Sequence, residues 1–487
     1  MEVFRPTISN PDKFQIGKAM WLQKIDLKDP LVAANILSSR PYFAFLDSAM
    51  HQDKLGRYSY IAVDPFARLT VCGDQAYWNS VPEKGDPLEI LQRHLAQFAF
   101  DEKIERRFPF QGGCIGYVGY DYGRCLEVIN GYPETEDKAA DINFCFYDVV
   151  LAFDHMTGES YLCSSGYPET QPDKKESRAK ARLAQFSDWL SMPSKQVSLD
   201  EKPNRLSLNW QSNFTKEHYC QAIETVREYI RKGDIYQANI AQSFSAELPD
   251  DFQPWPFYRQ LRRINPATFG AYLAFGDQVI ASASPERFVL LQDNQIETRP
   301  IKGTARRSPD LEKDRAAAEE LLHSEKDRAE NIMIVDLLRN DLSHVSTADS
   351  VEVTDLCRLE SYAGVHHLVS VVTGKLRPEN SSVDLLKACF PGGSITGAPK
   401  IRAMEIIAEI EQLARGVYCG SIGYIDFGGN LDFNIAIRTV TLSENKAVFQ
   451  VGGGITLLSD PEAEYVETLT KAAKIFESFG TSVSEMA

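Results

Sequence analysis

Most of the chain reads as short strands with helices inserted between them, and this pattern constrains the fold more than any other feature. Apolar runs bounded by turn residues predict strands in the C-terminal half at 235–244, 269–275, 279–282, 287–291, 420–425, 431–442 and 447–451. Helical spacing predicts helices at 309–323 and 325–339, and a last helix starting at Asp460. Runs of strands with inserted helices are typical of α+β folds with mainly antiparallel sheets. We therefore predict an α+β protein.

Composition and charge narrow the partners and the compartment of the chain. Of its 487 residues, 43% are hydrophobic and 25% are charged, which is ordinary for a soluble globular protein. The formal net charge of −16 disfavours nucleic acid and anionic membranes as partners. The nine cysteines include no CxxC pair, which favours reduced thiols over disulfides or a zinc site. Without a signal-peptide pattern or a run of ~20 apolar residues, a cytoplasmic protein is expected.

A change in composition divides the chain into three parts. Residues 161–213 contain four prolines and many charges around one predicted helix at 174–190, and they read as a surface connection. This leaves an N-terminal region at 15–160 and a C-terminal region at 214–480. Within the first region, the glycines of 109–122 predict strands that pass close to other backbone.

Lys302 is the first candidate for chemistry, in the segment 300–304 with the sequence PIKGT. A strand is predicted before this segment, and a helix is predicted after it with Ser308 as N-cap and Pro309 at the first position. A lysine on the turn between them can point into a cleft, and Gly303 permits a positive φ. By itself, however, a lysine is more often a solvated surface residue.

Two pairs of carboxylates are candidates for a metal site. Asp327 and Glu330 lie three residues apart in a predicted helix, as do Glu464 and Glu467, so each pair shares one helical face. Two such helices facing each other would offer oxygen ligands to Mg²⁺, which typically takes one or two carboxylates. The alternative is that both pairs are ordinary solvated faces.

Two glycine-rich segments are candidates for binding an anion. Residues 392–400 (GGSITGAPK) precede a predicted helix, where backbone N–H groups can cradle an anion. The segment is not a nucleotide-binding P-loop, because Ala398 stands where the lysine is required. Gly452–Gly454 can supply further donors and Arg438 a carboxylate clamp, or the triple glycine is only a tight turn.

Residues 112–116 read GGCIG, which matches the G-x-C-x-G pattern around the nucleophilic cysteine of a glutaminase and would make Cys114 that nucleophile. The matching histidine and glutamate would be His323 and Glu325, but residues two apart on a helix do not face the same way. We therefore predict that Cys114 is a packed small residue.

Together these motifs resemble the chorismate-utilising enzymes. The resemblance is strongest over 233–479 and weaker over 18–154, and its motifs lie at 284–288 (SPERF), 327–341, 394–400, 420–424 and 451–455. Anthranilate-forming members carry alanine at the position of Lys302, and members that add water carry a base lysine where this chain has Gln237. The resemblance therefore indicates the aminodeoxychorismate-forming members.

The resemblance implies a fold and an activity. The implied fold is α+β, with two orthogonal antiparallel β-sheets forming a sandwich flanked by helices. The implied reaction is Mg²⁺-dependent amination of chorismate at C4, giving 4-amino-4-deoxychorismate for para-aminobenzoate and folate synthesis. The ammonia would come from a glutamine amidotransferase subunit (component II). Alternatives are an anthranilate-forming enzyme or a non-catalytic subunit that senses tryptophan or chorismate, although the latter would be expected to have lost its catalytic carboxylates.

The resemblance also implies roles for individual residues. Lys302 would be the nucleophile and Glu286 the general acid. Glu330 and Glu467 would bind Mg²⁺ directly, and Asp327 and Glu464 through water. The residues implied to hold the substrate are His367, Ser394, Tyr418, Arg438, Gly453, Gly454 and Lys471. A possible tryptophan pocket in the N-terminal sheet would include Ser48 and Tyr60.

Because no credible glutaminase triad is present, we expect the chain alone to use ammonium and not glutamine. Product formation from chorismate and Mg²⁺ should require ammonium salts, and Cys114→Ser should leave this activity unchanged within about two-fold. The measurement is product formation by the purified chain with each nitrogen donor. Glutamine-dependent turnover that disappears in Cys114→Ser would contradict the expectation.

Overall fold

A computed structural model of the chain describes residues 15–16, 20–50, 55–100, 106–132, 140–192, 208–362 and 364–482. Part of the predicted connection, 193–207, lies outside the described residues, as do the polar N-terminus at 1–14 and the end of the chain at 483–487. No helix in the described ranges is long and apolar enough to cross a membrane.

The described residues form twenty-five strands and eleven α-helices. The strands are β1 Gln15–Ile16, β2 Met20–Ile25, β3 Phe43–Asp47, β4 Tyr58–Ala62, β5 Ala67–Cys72, β6 Gln75–Trp78, β7 Val81–Glu83, β8 Gly113–Val118, β9 Ile142–Tyr147, β10 Val149–Asp154, β11 Glu159–Ser164, β12 Gln211–Ser212, β13 Gln237–Glu247, β14 Phe269–Phe275, β15 Gln278–Ser284, β16 Arg287–Gln292, β17 Gln295–Thr298, β18 Ile301–Arg306, β19 Glu352–Ser361, β20 Val365–Lys375, β21 Gly397–Ala398, β22 Ser421–Asp426, β23 Leu431–Asn434, β24 Thr439–Ser443 and β25 Lys446–Ile455. The helices are α1 Pro30–Leu37, α2 Pro87–Gln97, α3 Gly123–Leu126, α4 Pro172–Leu190, α5 Lys216–Lys232, α6 Pro254–Ile264, α7 Leu311–His323, α8 Glu325–Ser343, α9 Ser382–Cys389, α10 Lys400–Glu411 and α11 Pro461–Ser478. Short 3₁₀ turns lie at Tyr120–Tyr122 and Gly393–Ile395.

The strands form two large antiparallel sheets, so the predicted α+β fold is confirmed. The first sheet has the order β1-β2-β11-β10-β4-β3-β14-β15-β24-β25-β13-β12, with β21 beside β13. The second has the order β18-β20-β17-β16-β23-β22-β8-β9-β5-β6-β7, with β19 beside β20. Each sheet contains strands from both halves of the chain, which meet at β3–β14 in the first sheet and at β8–β22 in the second.

Strand β10 shows why the sheets are buried on both faces. Val149, Leu151 and Phe153 face one apolar cluster, and the alternate residues Val150 and Ala152 face another. The first cluster lies between the first sheet and helices α1, α4, α6 and α11, and the second lies between the two sheets. A third cluster packs α2, α8 and α9 on the second sheet, and α5 and α10 cover β13. The core is therefore layered, with helices on both outer faces.

Two glycines permit the close pairing where the halves meet in the second sheet. Gly116 of β8 lies opposite Gly423 of β22. A Cβ atom at Gly116 would lie 1.9 Å from the carbonyl oxygen of Asn143, and one at Gly423 would lie 2.1 Å from that of Asp432. Any side chain at either position would collide with the neighbouring backbone. The prediction that glycines in 109–122 allow close backbone approach is therefore confirmed.

The helix predicted within the 161–213 connection is α4, and it is part of the core. Its residues Leu183 and Phe186 are buried, and the helix packs against β11 and α1. The boundaries of the connection at 161 and 213 stay a prediction.

A buried ion pair joins three elements near the centre of the C-terminal half. Arg415 donates from Nη2 to Glu411 Oε1 at 2.7 Å and from Nε to Oε2 at 3.0 Å. The same guanidinium donates to the carbonyls of Ile395 at 3.1 Å and Asn239 at 2.6 Å. Glu411 also accepts the N–H of Ala241 at 2.8 Å. This network, which we call the Arg415 clamp, ties α10 to the 3₁₀ turn and to β13.

Breaking the clamp should be costly, because Arg415 would keep a buried charge without its anionic partner. Glu411→Ala is expected to lower the free energy of unfolding by about 3–5 kcal/mol. Glu319→Ala, which removes the partner of Arg315 in an exposed pair on α7, should cost less than about 1 kcal/mol. Urea denaturation of both variants provides the measurement, and equal small losses would show that the clamp contributes little.

Candidate active site

The strand that carries Lys302 corrects the local prediction. Lys302 lies within β18 and not on a turn before a helix, and the predicted N-cap at Ser308 with Pro309 at the first position is wrong. Asp310 caps α7 instead, accepting the backbone N–H groups of the first turn at 3.0 and 3.3 Å. The N–H of Ser308 is bonded to the Asp314 carboxylate at 2.9 Å, which holds this segment outside the helix.

A bulge directly after Lys302 shifts the pairing of β18 with β20. Lys302 is opposite Leu368 and Thr304 is opposite His367, so Gly303 has no partner of its own. Gly303 has a φ of +80°, as the sequence predicted, and lies against the Asp327 side chain, which would be 2.9 Å from an added Cβ. A β-bulge bends a strand and redirects its side chains, and here it accompanies the turn of Lys302 into the site.

Lys302, Glu286 and Ser394 form the centre of the site. The Nζ of Lys302 donates to the carbonyl oxygen of Ser394 at 3.1 Å. Burial raises the pKa of Glu286 above its usual value, although a hydrogen bond from the Ser394 hydroxyl and the charge of Lys302 act against this rise. A carboxyl group with a raised pKa can stay protonated and deliver a proton. The 3₁₀ turn therefore positions both the amine and the acid.

The charge environment of Lys302 favours a neutral amine. Burial lowers its pKa below that of an ordinary lysine, with Lys471 acting in the same direction and the carboxylates of Glu330 and Glu286 opposing. Only the unprotonated amine carries a lone pair, and a depressed pKa is one way in which lysine is activated as a nucleophile.

Three of the four predicted metal-binding carboxylates lie around one end of this centre. An added Cβ at Gly453 would lie 3.2 Å from Glu464 Oε2 and 3.8 Å from Glu467 Oε1. Burial raises the pKa of Glu330, and the charge of Glu464 adds to this rise. Lys326 of α8 is 3.8 Å from Glu464 Oε1 and links the two helices.

Asp327, the fourth carboxylate, is turned towards its own helix end. Its Oδ2 accepts the Ser324 hydroxyl at 2.5 Å, and Ser324 caps α8. No group of three or more Asp, Glu, His or Cys side chains in the described ranges is arranged to hold a metal alone. Mg²⁺ usually keeps water and substrate oxygens beside one or two carboxylates, and the mutually repelling carboxylates of α8 and α11 fit such an open site.

The glycines of β25 form the floor beside these carboxylates. They were predicted to follow a strand, but Gly453 and Gly454 lie inside β25. An added Cβ at Gly454 would lie 3.4 Å from Lys302 Nζ, so a side chain there would fill the site. Lys471 donates to the Gly452 carbonyl at 2.8 Å and pairs with Glu467 at 2.7 Å.

Arg438 and His367 are neighbours at the site. The predicted strand at 431–442 is broken, and Arg438 lies in the break with a φ of +52°. Its guanidinium has no hydrogen-bond or ion-pair partner among the described residues, and Glu286 is the anion that acts on its pKa. Burial and Arg438 lower the pKa of His367 to about 4, so this imidazole is neutral near pH 7. Its Nδ1 is 2.9 Å from the Thr304 hydroxyl.

Tyr418 is joined to this centre indirectly. It is buried, and its ring centroid is 5.9 Å from the Arg415 guanidinium. The same guanidinium donates to the carbonyl of Ile395, in the 3₁₀ turn that carries Ser394.

Ser48 and Tyr60 line a separate cavity of about 360 Å³, whose walls come from both halves of the chain. The Ser48 hydroxyl donates to the Tyr58 carbonyl at 2.7 Å, and the Tyr60 hydroxyl is buried without a hydrogen-bond partner among the described residues. The two predicted pocket residues therefore lie together, but whether tryptophan binds there stays a prediction.

Cys114 is packed as predicted. It is fully buried in the apolar cluster of the second sheet, and burial raises the pKa of its thiol. A thiol that resists ionisation is a poor nucleophile.

Sequence reasoning did not assign several residues that the structure places at the site. Gln237 was noted only as the substitute for a base lysine, yet its Nε2 would be 2.1 Å from a Cβ at Gly454. Asn239 and Arg415 were not singled out. Asn239 follows Gln237 at a spacing of two, which in a strand puts both side chains on one face, and that spacing is the signal that was available.

Known proteins resemble this chain over most of its length. The profile of the chorismate binding enzyme family matches residues 43–477. Aminodeoxychorismate synthase component 1 of Escherichia coli (strain K12) is 40% identical over 445 residues, covering 91% of this chain and 94% of the relative. The protein of the same name from Bacillus subtilis (strain 168) is 37% identical, covering 90% and 91%. Anthranilate synthase component 1 of Aquifex aeolicus (strain VF5) is 36% identical, covering 93% and 92%.

Solved structures show the same architecture. Anthranilate synthase component I from Streptococcus pneumoniae TIGR4 superposes with a TM-score of 0.77 at 34% identity, covering 88% of this chain and 93% of that one. MenF, the menaquinone-specific isochorismate synthase of Escherichia coli, superposes with a TM-score of 0.72 at 20% identity, covering 99% and 96%, and shows the fold alone. On the family match, the long alignments and the shared architecture, this chain belongs to the chorismate binding enzyme family.

Proposed function

We propose that this enzyme aminates chorismate at C4 with ammonia, giving 4-amino-4-deoxychorismate. The observation that carries the proposal is Lys302, an amine with a lowered pKa that is bonded to the same 3₁₀ turn as the acid Glu286. Relatives 37–40% identical over about nine-tenths of the chain are named aminodeoxychorismate synthase component 1, which supports the same activity here.

The first step uses the lysine and the acid together. The neutral amine of Lys302 adds to C2 of chorismate, and both ring double bonds shift by one position as the C4–O bond breaks. Glu286 gives its proton to the departing hydroxyl, which leaves as water. Burial raises the pKa of this acid and lowers that of this base, so both shifts favour the protonation state that the step requires.

The second step reverses the path of the first. Ammonia adds to C4, both ring double bonds shift back, and the C2–N bond to Lys302 breaks. The nitrogen that entered at C4 returns a proton to the Glu286 carboxylate, and the lysine amine is released for the next turnover. Direct displacement at C4 by ammonia would invert that carbon, whereas two successive displacements return the amino group to the face that the hydroxyl left.

We assign substrate binding to the cations Arg438 and Lys471 and to the carboxylates of α8 and α11. The unpartnered guanidinium of Arg438 and the ammonium of Lys471 are suited to the two carboxylates of chorismate. Glu330 and Glu467, with Glu464 and Asp327 behind them, would hold Mg²⁺. When bound, that ion would supply positive charge to a substrate carboxylate. His367, neutral and buried, would line the ring.

The names of the relatives and the state of the cysteines support a proposal for the partner subunit and for the cellular compartment. The name component 1 of the relatives implies a second subunit, and Cys114, the cysteine in the glutaminase-like segment, is buried. We therefore propose a glutamine amidotransferase partner, and tryptophan as a possible ligand of the Ser48–Tyr60 cavity. All nine cysteines are free, which is consistent with the cytoplasm.

Lys302→Arg tests the nucleophile, because arginine keeps a positive charge but does not deprotonate. We expect aminodeoxychorismate formation to fall by about a thousand-fold or more. Lys326→Arg, a matched change on α8, should retain activity within about three-fold, since that lysine serves as a cation. The measurements are product chromatography and mass spectrometry of the wild-type chain incubated with chorismate without ammonia.

The expected mass result is an adduct on a peptide containing Lys302. Near-normal product formation by Lys302→Arg would rule out the covalent role and leave a purely electrostatic one. Anthranilate as the main wild-type product would instead identify the alternative synthase.

Glu330→Gln and Glu467→Gln test the metal site. Each should raise the Mg²⁺ concentration needed for half-maximal activity and weaken chorismate binding together, by at least about 10-fold, because the ion would join protein and substrate. Titration calorimetry with and without Mg²⁺ measures the coupling directly. Glu462→Gln is the matched control on α11, where the carboxylate pairs with Lys216 at the surface. An unchanged Mg²⁺ dependence in Glu467→Gln would refute the site.

A further inference from the structure

Asn239 carries an unused hydrogen-bond acceptor beside the reacting lysine. Its side chain is 7% exposed, and its Oδ1 is buried without a hydrogen-bond partner among the described residues. The backbone around it is fully engaged: its N–H donates to the Thr396 carbonyl at 2.8 Å, and its own carbonyl accepts from Arg415 at 2.6 Å. A buried polar atom without a partner is costly, which points to a missing ligand.

The register of β13 and β25 directs this side chain into the site. Asn239 lies directly opposite Gly454, and opposite residues of an antiparallel pair face the same side, with Cβ atoms about 5 Å apart. A Cβ at Gly454 would lie 3.4 Å from Lys302 Nζ and 2.1 Å from Gln237 Nε2. Lys302 and both carboxamides therefore share one face of the pair.

We propose that the Asn239 carboxamide binds the incoming ammonia through an N–H···Oδ1 hydrogen bond and positions it for attack on C4. This inference rests on the proposed function, which it extends to the second substrate. Asn239 is then a specificity-determining residue for the nitrogen nucleophile.

The chemistry of ammonia favours a neutral acceptor at this point. Ammonia attacks through its lone pair, so a carboxylate in contact with it would favour the ammonium ion, which has none. A carboxamide oxygen accepts an N–H without adding charge. The cations Lys471 and Arg438 nearby also disfavour an ammonium ion over neutral ammonia.

The two-step reaction also requires the acceptor of ammonia on the side of the acid. The amino group enters from the face that the hydroxyl left, which is the face of the acid Glu286. Ser394 donates a hydrogen bond to that acid, and Asn239 is bonded through its backbone to Thr396 in the same loop. The backbone of Asn239 is therefore held by the loop that also supports the acid.

The test is Asn239→Leu, which keeps the size of the side chain and removes its acceptor. We expect the KM for ammonium at fixed pH to rise by roughly 10-fold, the effect of one lost buried hydrogen bond. The KM for chorismate should change by less than about two-fold, and the Lys302 adduct formed without ammonium should accumulate as in the wild type. Asn239→Ala serves as a second variant if leucine prevents folding, and it should show the same pattern.

Asn430→Leu is the control for loss of a buried asparagine. Asn430 is equally hidden, but its Oδ1 already accepts the Asp293 N–H at 3.1 Å in the turn after β22. The Asn430→Leu variant should have a lower melting temperature than the wild type and an unchanged KM for ammonium. An unchanged KM for ammonium in both Asn239 variants, or a rise confined to chorismate, would overturn the role of Asn239 alone. Failure of the wild type to form any adduct or aminodeoxychorismate would overturn the proposed function and this inference with it.

Discussion

The site depends on the Arg415 clamp, because the elements that carry its groups come from distant parts of the sequence. The 3₁₀ turn with Ser394, strand β13 with Asn239 and helix α10 are joined by one guanidinium that is almost completely buried. A guanidinium has five donors in a fixed plane, so it holds two carbonyls and a carboxylate in one relative orientation. The Nζ of Lys302 donates to the carbonyl of Ser394, the residue directly before Ile395, whose carbonyl Arg415 binds.

Opposed pKa shifts in the same enclosure give the site its chemistry. Burial disfavours charge, so it makes Glu286 a weaker acid and Lys302 a weaker base. Each group also stabilises the charged form of the other, so neither shift is as large as burial alone would give. Lys471 and Glu330 act on Lys302 in opposite directions. The balance therefore depends on charges that a substrate dianion would itself alter on entering.

Much of this arrangement could be predicted from the sequence, where local rules apply. The three-residue spacing of Glu464 and Glu467 places both on one helical face, and runs of strands with inserted helices indicate antiparallel sheets. The bulge at Gly303 and the strand break at Arg438 could not be predicted, because pairing with distant strands decides them. The cap at Asp310 was missed since Ser308 satisfies the same local pattern, and only the bond that the Ser308 N–H donates to Asp314 excludes it. That the Oδ1 of Asn239 has no hydrogen-bond partner among the described residues could not be predicted either, because it depends on the positions of all neighbouring donors.

The meeting of the two halves within both sheets has a consequence for synthesis of the chain. When the ribosome has completed only the N-terminal half, β3 and β8 each have one bare edge, because their partners β14 and β22 have not yet been made. Open edges of this kind pair readily with other chains. The nascent polypeptide must therefore remain shielded until at least residue 426 has emerged, and the edges are then closed by the same half that carries the lysine and the acid.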